Sequence, residues 1–238
     1  MYSSSKASVF ISLVFAAFIG LFSSCSQNTP EIYTTDYSVI FEYNDEKTTP
    51  SARLSVFSSS GSDVRRYQRI KITSLENGYC WDTEAISKLE ADDIQWAGCA
   101  NLVMPDEEKL PVGAYEITYY NADEKEYTFK LDLQYDVEIY ELLLSALPDF
   151  MRKKHGIEKI AVYDKEHILI YYGDRTEEFL TTRDIWNRYS NASTYQIIWY
   201  SRNGNVICIT PEKPVTPENT EKLGAFAEEE SEEQTDIE

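Results

Sequence analysis

The feature that most constrains this fold is a period-two alternation of large side chains, which holds through residue 136 and then gives way to helical spacing. Tyr115, Ile117 and Tyr119 lie at alternate positions in Gly113 to Tyr120, and Tyr127, Phe129, Leu131 and Leu133 do so in the next run. Only an extended chain puts alternate residues on one face, so the two runs read as a hairpin turning through Asn121 to Glu126. Upstream, Tyr37, Val39, Phe41 and Tyr43 share a face, followed by the runs Ala52 to Phe57 and Tyr67 to Thr73, each bounded by turn-forming residues. Ala85 to Leu89 is the one possible helical turn in this span. The chain holds 18 Tyr and is 13% aromatic, which suits half-buried sheet positions. Residues 36–136 are therefore expected to form an antiparallel β-sandwich.

Beyond Asp136, Ile139, Leu142, Leu143, Ala146, Leu147 and Phe150 fall at helical spacing, which predicts an amphipathic helix ended by Gly156, with Pro148 as a point of interruption. Strands at Lys159 to Tyr163 and His167 to Tyr172 follow, then a short helix capped by Thr182, then a pair, Tyr195 to Tyr200 and Asn205 to Thr210, turning at Asn203-Gly204. Residues 137–211 thus read as a separate α+β module, and the fold class as mainly β. Residues 212–238 carry ten carboxylates and three prolines lie between Pro211 and Pro217, so this span is expected to be a disordered acidic tail.

Leu110-Pro111-Val112-Gly113-Ala114-Tyr115 resembles the L-P-x-G-x-Y approach to a late strand in extracellular immunoglobulin-like sandwich modules. The resemblance implies such a sandwich for the first domain, although the Cys-Trp-Cys arrangement of immunoglobulins is not matched, because neighbouring Cys80 and Trp81 would point to opposite faces.

At the other end, Ala7 to Phe22 is an apolar run of 16 residues, preceded by Lys6 and followed by Ser23, Ser24 and Cys25, the order of an export signal. It is similar to the lipobox of bacterial lipoproteins, with Phe22 where the usual pattern has Leu. The resemblance implies cleavage after residue 24, diacylglyceryl attachment at Cys25 and a tether over 25–35, leaving the protein anchored to membrane lipid on the periplasmic or surface side of the envelope. Cleavage by an ordinary signal peptidase near Ser24 or Cys25 is the alternative; an uncleaved span would need about 20 apolar residues.

The net charge of −19 argues against nucleic acid as a partner, since Arg65, Arg66 and Arg69, and Arg152, Lys153 and Lys154, are small basic groups in a strongly acidic chain. Outside the cytoplasm, Cys80 and Cys99 form a candidate disulfide, which would contribute roughly 3 kcal/mol. Cys208 reads as a buried small hydrophobe.

His155 and His167 have no catalytic motif around them, and no phosphate loop, metal-ligand spacing or cofactor motif is present, so no cofactor and no metal are expected. Asp82, Glu84, Asp92 and Asp93 surround Trp81 and Trp96, and a glycosidase would need two such carboxyls about 5 Å or about 6.5–9.5 Å apart. Trp81, Trp96, Trp199 and Tyr200 are the candidate binding surface. The function expected is that of a non-enzymatic, lipid-anchored envelope protein binding a protein or glycan partner. A glycan-processing hydrolase using paired carboxylates and a structural or assembly lipoprotein are the alternatives.

Overall fold

A computed structural model describes residues 32–44, 48–60, 64–91, 93–122, 126–218 and 222–223. Cys25, the signal sequence expected over residues 1–24 and residues 224–238 lie outside the described residues. The chain is mainly β. In order, it forms β1 (Ile32–Glu42), β2 (Ser51–Ser60), β3 (Tyr67–Ser74), β4 (Cys80–Thr83), β5 (Ser87–Ala91), β6 (Ile94–Val103), β7 (Gly113–Asn121) and β8 (Glu126–Leu133). Next come α1 (Leu147–Lys153), β9 (Ile157–Asp164), β10 (Leu169–Asp174), α2 (Thr182–Arg188), β11 (Ala192–Tyr200), β12 (Val206–Ile209) and the two-residue β13 (Lys213–Pro214).

Among the described residues the strands make two sheets. The smaller runs β4-β3-β7-β8, and the larger runs β10-β9-β11-β12-β1-β2-β6-β5, with β13 beside β11. The β7–β8 hairpin is as the alternation predicts, pairing Tyr115 with Leu131, Ile117 with Phe129 and Tyr119 with Tyr127. The spans set apart at residue 136 are, however, joined in one sheet, because β1 pairs in parallel with β12, Val39 opposite Val206 and Phe41 opposite Cys208. Local periodicity carries no information about a pairing across so many residues.

Four further expectations are corrected. Ala85 to Leu89 does not form a helical turn: β5 takes residues 87–91 and lies along β6 as the edge of the larger sheet. The helix expected from Ile139 to Phe150 is broken into 3-10 turns at Val137–Glu141 and Leu144–Ala146, and α1 starts only at Leu147. Pro148 sits in the first turn of α1, where its lack of an N–H costs nothing. The expected tether overlaps β1, in which Ile32 already pairs with Ser60. Finally, residues 212–218 are packed: β13 pairs with β11, Val215 N–H donates to Ser193 O at 2.9 Å, and Val215 is buried.

Cross-strand register puts Val39, Phe41, Leu54, Val56, Ala97 and Cys99 on one face of the larger sheet, together with Ile160, Val162, Tyr195, Ile197 and Trp199. All of these are buried in the core. The smaller sheet meets this face through aromatic donors: Tyr119 OH donates to Ala97 O at 2.7 Å and Trp81 Nε1–H to Val103 O at 2.7 Å. Over β9 and β11 lie the 144–148 turn and α1, and Tyr171, Phe179 and Tyr189 stack together beside them.

The Leu110-to-Tyr115 segment is an irregular stretch leading into β7 and is held by tyrosines. Gly113 has φ +118, open to glycine and strained for other residues. Tyr115 OH donates to Pro111 O at 2.6 Å, Tyr135 OH donates to Leu110 O, and Leu110 N–H donates to Tyr140 Oη at 2.8 Å.

Candidate functional site

Chain connectivity makes a hollow at one end of the molecule. β4 belongs to the smaller sheet and β5 to the larger, so residues 84–86 must cross between them. The crossing is tight: Ala85 N–H donates to Thr83 Oγ1 at 3.0 Å and Ile86 N–H to Glu84 O at 2.9 Å. Glu84, Ile86 and Lys88 form one wall of a cleft of about 690 Å³. The start of β3, with Gln68 and Arg69, forms a second wall, and the β7–β8 corner, with Tyr120, Asn121 and Glu126, closes the third.

Two cations in this cleft are held in place. Arg69 and Tyr120 are register partners on β3 and β7, and the guanidinium lies 4.0 Å from the ring centroid, a cation–π distance. Its Nη1 is 3.6 Å from Asp82 Oδ2. Lys88 Nζ donates to Arg65 O at 2.8 Å, tying β5 to the 3-10 turn Val64–Arg66.

The carboxylates singled out in the sequence have different surroundings. Asp82 faces Arg69 rather than a second carboxylate, Glu84 lines the cleft, Asp93 occupies the β5–β6 turn with φ 61, and Asp92 lies outside the described residues. Among the described residues no cluster of three or more His, Cys, Asp or Glu side chains could hold a metal ion, and no helix is long and apolar enough to cross a membrane.

The four aromatics expected as one binding surface do not form one. Trp81 and Trp199 are core residues. Trp81 packs against Tyr79 and Tyr115, and Trp199 lies beneath residues 144–148 with Arg152 over its ring at 5.8 Å. Trp96 and Tyr200 are half-buried on the opposite face of the larger sheet, but β12, β1 and β2 lie between their strands, a separation of roughly 19 Å at ordinary strand spacing. Tyr200 instead shares a hydroxyl hydrogen bond with Tyr172.

Cys80 and Cys99 are free thiols, and the bridge expected between them is not made. Trp81 points into the core, so its neighbour Cys80 points to the outer face of the smaller sheet, away from β6; Thr73 Oγ1 donates to its sulfur at 3.5 Å. Cys208 is fully buried, and burial pushes its thiol up to about 12. Neither histidine joins a catalytic constellation: His155 follows α1 with φ 57, and His167 Nε2 is 2.9 Å from Glu212 Oε1 while its ring packs on Tyr163. A second, mostly apolar hollow beneath Leu144 and Pro148 is about 40 Å³, room for little more than a water molecule.

Sequence reasoning marked Glu84 but missed Gln68, Tyr120, Asn121 and Glu126 as cleft residues. No local signal brings residues 68, 84 and 120 together; the β4-to-β5 crossing does. No protein-family model matches this chain, and no curated protein matches it in sequence.

Proposed function

We propose that this chain is a lipid-anchored protein of the bacterial cell envelope, held by an acylated Cys25 on the periplasmic or surface side, and that its folded part binds a protein or glycan partner without chemistry. Its two sheets make a β-sandwich at the β2–β6 end. An immunoglobulin-like sandwich confined to 36–136 would exclude the partner of β1, so the sandwich is read as one that recruits β9 to β12.

The observation that carries the binding reading is the cleft: about 690 Å³, within the range of small-ligand sites, with Arg69 fixed on Tyr120 and Lys88 tied to the backbone. A hydrolase using Asp82 in its carboxylate pair would have to draw that group away from Arg69.

The anchor is tested by intact mass and membrane partition of the full-length protein beside its Cys25→Ala variant. Acylation predicts a wild-type mass raised by the lipid and loss of both mass and partition in the variant. Equal masses with equal partition would defeat it. Protease treatment of intact cells then assigns the side: digestion indicates the surface, and protection until the outer layer is opened indicates the periplasm.

A further inference from the structure

We infer that the cleft between the β4–β5 crossing and the β7–β8 corner is a subsite for a short neutral oligosaccharide, an inference that rests on the binding reading above and names its ligand class. The first support is charge. The chain carries a net −19, yet the ionised groups lining this cleft balance, Arg69 and Lys88 against Glu84 and Glu126. A cation is repelled by Arg69 and Lys88 as it is drawn by Glu84 and Glu126, an anion meets the reverse, and Arg69 already faces Asp82, so the lining offers a charged ligand little net attraction to offset the loss of its hydration, a cost that a neutral glycan does not carry.

The second support is shape and hydrogen-bonding capacity. The guanidinium of Arg69, the amide of Gln68 and the carboxylates of Glu84 and Glu126 are planar groups with paired donors or acceptors, suited to adjacent hydroxyls. Ile86 supplies an apolar contact for the C–H face of a sugar. Arg69 is already fixed by Tyr120 at 4.0 Å and by Asp82, so little side-chain freedom is lost there on binding. Glu84, Lys88, Glu126 and Gln68 are exposed, so the cleft is open to a chain end or to an internal stretch of glycan.

The test uses the full-length protein in a sugar-free detergent, with calorimetry against neutral trisaccharides (maltotriose, cellotriose, chitotriose, mannotriose), trigalacturonate and an oligolysine peptide. At least one neutral trisaccharide is expected to bind below about 10 mM. The double variant Glu84→Ala/Glu126→Ala, both positions being exposed, is expected to weaken that binding at least about tenfold while its thermal midpoint stays at the wild-type value.

No binding by any neutral trisaccharide, tighter binding of trigalacturonate or oligolysine, or undiminished binding in the double variant would each overturn the inference. The lipid mass on Cys25, read from the same preparation, keeps the two readings apart. A lipidated protein that binds no neutral glycan loses the subsite and keeps its anchor, and an unlipidated protein that binds through the cleft does the reverse.

Discussion

The two ends of the nine-stranded sheet are closed by different means. At the β2–β6 end, the smaller sheet is fastened by aromatic side chains that reach across to backbone carbonyls, Tyr119 to Ala97 and Trp81 to Val103. At the β9–β10 end the cover is two short helices, fastened by local caps and by the chain's last described residues. Thr181 and Asp184 form a capping box on α2, Arg175 pairs with Glu158 at 2.6 Å and also donates to Leu223 O, and Leu223 N–H donates to Leu180 O. Sheet-on-sheet contact leaves broad apolar faces with a few buried carbonyls that large donors must reach, whereas helix ends expose many groups that nearby side chains can satisfy. The first end should therefore be sensitive to single core residues and the second to several smaller fastenings.

Tyr119→Ala should produce the largest loss, about 3–5 kcal/mol in urea unfolding, because it opens a cavity and strands the Ala97 carbonyl. A loss no greater than that of a cap variant would remove the distinction between the ends. Arg175→Ala should cost about 2 kcal/mol, since its head group is well shielded and serves both Glu158 and Leu223. Hydrogen exchange should then show amides around Leu180 and Leu223 opening first; protection lost first at β7 would contradict the assignment.

The seam between the ends is β12, which carries Cys208, while Tyr115 sits on β7 in the smaller sheet. Burial raises the Cys208 thiol to about 12 and the Tyr115 phenol to about 12. Both hold their protons more tightly when folded, so their stability contribution is complete below the unfolded values, about 8.5 and about 10, and is lost as pH climbs from there toward about 12. From about pH 8 to about pH 9.5 the thiol alone should cost about 1 kcal/mol, and Cys208→Ala should flatten that slope. An unchanged slope would place the titrating group elsewhere.

Thr181→Ala should cost about 1 kcal/mol, measurable as a small shift of the urea midpoint. The smallest effect on stability belongs to Cys80: alkylation of the native protein should modify it ahead of Cys99 and Cys208, both buried, without moving the midpoint. Labelling of Cys208 at the same rate would mean that the seam opens.

Much of this was legible in the alternation itself. The β7–β8 hairpin, the strands from β1 to β3 and the last two long strands follow from which residues repeat at every second place. The motif from Leu110 to Tyr115 marked the approach to a strand, and β7 does begin at Gly113, but the tyrosines that clasp that approach, Tyr135 and Tyr140, come from beyond the hairpin and left no local trace. The segment from Ile139 to Phe150 has helical spacing, yet it is too short and too interrupted to hold one helix against the sheet. Cleft and seam share one reason for being hidden: each depends on how strands are ordered across a sheet, and periodicity reports only which face a residue occupies. The assignment of Trp81 and Trp199 to a surface failed for a related reason, since whether a sheet face is covered is decided by elements far along the chain.

The position of β1 has a mechanical consequence. Any pull delivered through residues ahead of Ile32 enters the fold along a strand flanked by β2 on one side and β12 on the other. A force along a strand's own axis loads the hydrogen bonds of its ladders together, whereas a force across an edge strand would peel them one at a time. The strand at which the described fold begins is thus a place where the fold resists tension on two flanks, and the resistance on one flank depends on residues Val206–Ile209, far along the sequence.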